Sequence, residues 1–67
     1  MAKTILITAP LDGKVIVVPQ IKSFSIERED YEWEVRVDGW LALSTESEDV
    51  ATKFYHEIWN AIEGFYQ

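Results

Sequence analysis

The stretch STESEDVATKFYHEIWNAIEGFYQ, residues 44–67, decides the fold. Placed on a helical wheel, it lines Val50, Phe54, Ile58, Ala61 and Phe65 along one stripe, the spacing of a core-facing helix. Ala51, Tyr55, Trp59, Ile62 and Tyr66 form a second apolar stripe beside the first, and Thr52, Lys53, His56, Glu57, Asn60 and Glu63 fill the polar remainder. A helix resting on a small sheet needs an apolar arc of about 100°, whereas this arc spans about 180°. The spacing predicts an amphipathic helix over residues 47–64 with more apolar surface than one sheet covers. Its start is marked by Ser47, an N-cap hydroxyl followed by Glu48 and Asp49 near the positive end of the dipole. Thr45 with Glu48 makes a competing capping box. Gly64 is expected to loosen the last turn.

Working outward, SFSIER (residues 23–28) and YEWEVRV (residues 31–37) alternate as half-buried strands. Phe24, Ile26, Tyr31, Trp33 and Val35 point inward, and Ser25, Glu27, Glu32, Glu34 and Arg36 outward. A junction at Glu29-Asp30 sets Ile26 opposite Trp33 and Phe24 opposite Val35. The following turn has two forms. A loop of Asp38 and Gly39 alone sets Val37 opposite Trp40 and throws Leu41 and Leu43 onto the face of Glu34 and Arg36. A loop of Val37, Asp38 and Gly39, bulged at Gly39, sets Val35 opposite Leu41 and Trp33 opposite Leu43. The second keeps the leucines in the core and is the expected one. Trp40 then stands on the outer face, either stacked over Arg36 or exposed as a contact residue.

Earlier in the chain, KTILIT (residues 3–8) and KVIVV (residues 14–18) form a hairpin about the turn at Pro10, Asp12 and Gly13. Both of its faces are apolar, Ile5 and Ile7 against Leu6, and Val15 and Val17 against Ile16 and Val18, so it wants cover on both sides. The expected architecture is a single α+β domain over residues 1–67. An antiparallel meander of about five short strands (residues 3–44) is followed by one C-terminal amphipathic helix packed on the sheet.

A chain of 67 residues with no cysteine and one histidine has neither disulfides nor a ready metal to support its core. Such a chain buries only about 60% of its unfolded surface, which leaves oligomerisation or very dense packing. With 48% hydrophobic residues it is too rich in core formers to be disordered. No run is long and apolar enough for a membrane span and the first residues lack a leader pattern, so a cytoplasmic location is expected.

The net charge is −6, unevenly spread. Residues 1–26 carry Lys3, Lys14 and Lys22 against Asp12. Residues 27–49 carry nine acids against Arg28 and Arg36. A direct nucleic-acid binder shows the opposite, a basic stripe that displaces counterions. The acidic segment Glu27, Glu29, Asp30, Glu32 and Glu34 is either a solvated face that aids solubility or a surface that meets a basic partner protein.

Catalytic chemistry finds little to work with. His56 falls on the polar arc with no further nitrogen or sulfur ligands for a metal. Glu27, Glu32 and Glu34 could serve as acid and base only in a pocket that separates their pKa values. Ser44, Thr45 and Ser47 have no base nearby in sequence. The chain is therefore expected to be a non-enzyme without metal or cofactor. Phe24, Trp33, Phe54 and Phe65 are core by periodicity, whereas Tyr55, Trp59 and Tyr66, with Trp40, are the candidates for an oligomer or partner interface.

The run Gly39-Trp40-Leu41-Ala42-Leu43-Ser44, followed by Ser47-Glu48-Asp49-Val50-Ala51 and Phe54, resembles the strand-to-helix segment of very small phage and mobile-element proteins. These include anti-CRISPR and other anti-defence inhibitors, and the likeness covers residues 23–63. It implies a small acidic binding protein that occludes a host defence protein through an acidic or aromatic surface, and it transfers no individual functional residue. The alternatives are a sponge for a nucleotide-like ligand held between protomers and a purely structural assembly module. A homodimer is expected from the wide helix arc and the two-faced hairpin, with Tyr55, Trp59 or Tyr66, or Leu6, Ile16 and Val18, at its contact. Sedimentation at micromolar concentration should show a species heavier than 7.8 kDa, and a monomer alone would contradict the expectation.

Overall fold

The computed structural model describes residues 6–66. In chain order they form β1 (Leu6–Thr8), β2 (Val15–Val17), a 3-10 turn (Val18–Gln20), β3 (Phe24–Glu29), β4 (Glu32–Val37), β5 (Trp40–Thr45) and α1 (Glu48–Tyr66). The fold is α+β, five antiparallel strands followed by a C-terminal helix packed on them. The strands make two sheets, β1-β2 and β3-β4-β5, with the expected five-strand meander divided between them. The break falls at Pro19, which lacks the N–H a ladder needs and opens the 3-10 turn instead.

The helix packs on β3, β4, β5 and the 3-10 turn. Its buried residues are Ala51, Phe54, Ile58 and Ala61, the middle of the apolar arc. Val50, assigned to the core stripe from periodicity, is exposed, because the buried line runs through Ala51 and leaves Val50 on the far flank. Trp59 and Tyr66 are exposed on the opposite flank. Opposite the helix lie Val35 and Val37 of β4 and Leu43 of β5, with Phe24 and Ile26 half-buried beside them. Ile7, Ala9, Ile16 and Val18 complete the same core from the first hairpin. Ile16 and Val18 are therefore internal, not available to a partner, while Leu6, Leu11 and Val15 are exposed. Ile5, the remaining core candidate of that hairpin, lies outside the described residues.

Ser47 is the N-cap. Its Oγ accepts the Val50 N–H at 3.3 Å, while Thr45 Oγ1 accepts the Ser47 N–H at 3.1 Å and stiffens the approach. Gly64 does not end the helix, which continues to Tyr66 with Phe65 and Tyr66 in edge contact at 5.0 Å.

Register differs from expectation at both turns of the larger sheet. β3 and β4 close at Glu29 opposite Glu32, so the turn is Asp30-Tyr31, with Asp30 at φ 52°. Ile26 then faces Val35 and Phe24 faces Val37, a shift of two residues that preserves which side chains point inward. Tyr31 leaves the core and is 84% exposed at the turn.

Between β4 and β5 the loop is Asp38-Gly39 alone, with Val37 opposite Trp40. Asp38 at φ 52° and Gly39 at φ 87° give the type I′ geometry whose twist matches the flanking strands. The three-residue loop bulged at Gly39 is therefore not formed. The extra residue sits inside β5, at the register shift where Arg36 faces Leu41 and Val35 faces Leu43. That shift turns Leu43 inward, as the core requires, and puts Trp40 on the Val37 side instead of the outer face. Trp40 is half-buried there, with Lys14 Nζ 5.2 Å from its ring centre.

Phe54 anchors the helix at the centre of the core. Phe54→Ala should lower stability by about 3–5 kcal/mol, close to the whole stability of a domain this small. A melting temperature within a few degrees of the parent would show that the helix is held elsewhere.

Candidate functional site

The register sorts the carboxylates. Side chains alternate along a strand, so Ser25, Glu27 and Glu29 of β3 share the face away from α1 with Glu32, Glu34 and Arg36 of β4. Glu27 lies directly opposite Glu34 and Glu29 directly opposite Glu32. Like charges so placed are unfavourable. Two unit charges about 5 Å apart in the dielectric of water repel by about 0.8 kcal/mol, and salt and flexibility reduce this further. Among the described residues the face holds one cation. Arg36 Nη2 donates to Glu34 Oε1 at 2.9 Å, and its Nε lies 3.5 Å from Glu27 Oε2. Glu32 accepts a hydrogen bond from the Ser44 hydroxyl of β5. Glu29 has no ion pair among the described residues. Asp30, included with this face from sequence, sits at the exposed hairpin turn at its end. The other hairpin arginine, Arg28, points to the opposite side and lies 5.5 Å from the ring centre of Trp33.

Four of the acids elsewhere have local structural uses. Glu48 and Asp49 stand in the first turn of α1, where the helix dipole favours them. Asp12 Oδ1 accepts the Lys14 N–H at 3.0 Å across the first turn. Asp38 Oδ1 accepts the N–H groups of Lys22 and Ser23 at 2.8 and 3.0 Å, and its own N–H donates to the Ser23 carbonyl at 2.8 Å. Asp38 thereby ties the approach to β3 to the β4–β5 turn. Sequence reasoning missed this role; the available signal was the residue type, since Asp in a tight turn readily accepts backbone N–H groups.

The aromatic candidates divide. Tyr55 is half-buried, its ring 5.2 Å from that of Phe24, and Trp59 lies edge-on to the same ring at 5.4 Å while remaining 42% exposed. These three rings form a built cluster where α1 passes the outermost strand, β3. Tyr66 is exposed near the helix end and Trp40 lies on β5 at the other edge of the sheet, so neither joins the cluster.

Enclosed space is scarce. A cleft of about 150 Å³ lies between β2, the 3-10 turn and the β4–β5 turn, lined in part by Ile16, Val37 and Trp40. That is well below the roughly 300–1,000 Å³ of ordinary ligand sites. A broad concavity runs along the polar side of α1, past Asp49, Lys53, His56 and Asn60. Among the described residues the helix alone lines it. Among the described residues, no group of three or more His, Cys, Asp or Glu is arranged to hold a metal ion. Among the described residues no helix is long and apolar enough to cross a membrane.

The chain matches no protein-family model, no curated protein and no solved structure.

Glu29 offers a measure of what the acidic face costs. Glu29→Thr removes an opposed charge and adds a strand-favouring side chain, and should stabilise the fold by about 0.2–1 kcal/mol, a rise of a few degrees in Tm. The charge part of the gain should fade in molar salt, where screening acts over about 3 Å. A loss of stability would mean that Glu29 has a structural use.

Proposed function

We propose that this chain is a small non-enzymatic binding protein that occludes a basic surface on a partner protein, with the outward face of β3 and β4 as its contact. The observation that carries this reading is the two pairs of opposed carboxylates, Glu27 with Glu34 and Glu29 with Glu32, offset by a single arginine. A basic partner relieves the repulsion that the free protein sustains, so the arrangement favours association where it disfavours the isolated fold. The resemblance to small anti-defence inhibitors supports the more particular proposal that the partner is a host protein whose basic surface binds nucleic acid.

A second reading concerns self-association. Leu6, Leu11 and Val15 are each about half exposed on the first hairpin, and register places Leu6 opposite Val17 on the side away from Ile7 and Ile16. This apolar face favours a homodimer formed through the hairpin in place of the helix, with the acidic face left free.

Glu29→Lys combined with Glu32→Lys tests the acidic face without disturbing the Arg36–Glu34 bond. With a partner recovered from host lysate, the double variant should associate more slowly at low salt and show a weaker salt dependence, because steering charge has been reversed. An unchanged association rate, with an unchanged melting temperature, would remove the acidic face from the contact.

A further inference from the structure

The larger sheet ends on one side at β3, a strand of six residues, Phe24–Glu29, without proline or bulge. Among the described residues β3 pairs only with β4, so every second residue turns its N–H and C=O outward with no strand to receive them. The opposite edge is different: β5 carries the register shift, and its Ala42 carbonyl accepts the Leu11 N–H at 3.1 Å. The open edge is also two-toned. Glu27 and Glu29 line its outer side, while Phe24 and Ile26 line the helix side beside Tyr55 and Trp59.

We infer that the free edge of β3 is a strand-addition site for an extended partner segment in which basic and apolar residues alternate. This rests on the proposed binding function and specifies how the partner is held. Directly paired residues of neighbouring strands share a face, so the residues opposite Glu27 and Glu29 stand outward and meet carboxylates. Lys or Arg suits those positions. The intervening residues turn toward α1, where the Phe24, Tyr55 and Trp59 rings offer an apolar wall, and Val, Ile or an aromatic suits them. Backbone pairing supplies the hold and this alternation supplies the selectivity. A second copy of β3 suits the edge less well than a basic strand. Continuing the sheet with both helices on one side places the Glu27 and Glu29 rows of both copies on a common face, and pairing centred on Glu27 sets that carboxylate against itself.

The test uses the whole protein and a blocked peptide of alternating Lys and Val, about eight residues long, enough to span β3 at ~3.4 Å per residue. Two further versions carry backbone N-methyl groups, one on every Lys and one on every Val, which removes the donors from one edge of the peptide while keeping its charge. The parent peptide should slow amide exchange of the outward-facing residues within Phe24–Glu29 and alter Trp59 fluorescence. One methylated version should bind at least about tenfold more weakly and the other close to the parent, since only one edge of the peptide faces β3. Equal binding of all three, without protection of β3, would overturn strand addition yet leave the acidic face as a contact for basic partners. Failure of all three to bind at low salt would overturn both.

Discussion

The fit of Ala51, Phe54, Ile58 and Ala61 onto one face of the β3-β4-β5 sheet is the constraint on which the rest depends. A sheet covered by a single helix has one dry face, and strand periodicity then commits every second side chain to water. Ser25, Glu27, Glu29, Glu32, Glu34 and Arg36 are polar for that reason. Dryness does not dictate acidity, however, and a mixture of lysine and glutamate would serve solubility equally well. The packing explains why the face is charged; it does not explain why acids outnumber the single arginine there.

The same fit accounts for the leftover apolar surface. A helix of 19 residues is about 28 Å long, and only the middle of its apolar arc can touch the sheet. Val50 falls off one side of the contact line, while Trp59 and Tyr66 fall off the other. Phe24 sits at the sheet margin and holds Trp59 and Tyr55 by ring contacts, so this flank is packed even where it remains exposed. Val50 and Tyr66 are also exposed, but among the described residues no comparable cluster surrounds Val50.

Sequence makes the helix legible because its apolar period, its cap at Ser47 and its length all agree. It makes the inward and outward sets of β3 and β4 legible as well, since alternation fixes the face. Alternation cannot fix register, because a slip of two residues leaves every side chain on its own face. That is why periodicity places Tyr31 inward although it stands at the exposed turn. The β4–β5 connection is misread for a related reason. Turning Leu43 inward requires one extra residue, and periodicity cannot say whether that residue belongs to the loop or to the strand. The positive φ angles of Asp38 and Gly39 favour the tight loop, so the irregularity moves into β5. The acidic segment is visible as composition, but the opposition of Glu27 with Glu34 and of Glu29 with Glu32 exists only once the true register is known.

That displaced irregularity also distinguishes the two edges of the sheet. With the extra residue inside β5, that strand is interrupted, and the chain near Leu11 bonds to Ala42 there. β3 is left as the regular edge, and a regular edge ordinarily invites pairing with further copies. Its protection is electrostatic. Glu27 and Glu29 face outward along it, and Arg28 lies on the helix side against Trp33. Charge protects by sign, whereas a bulge or a proline protects against any strand. Carboxylates along an edge disfavour another acidic strand and suit a basic one, so in the strand addition proposed above the same charges would act against self-pairing and for a basic partner.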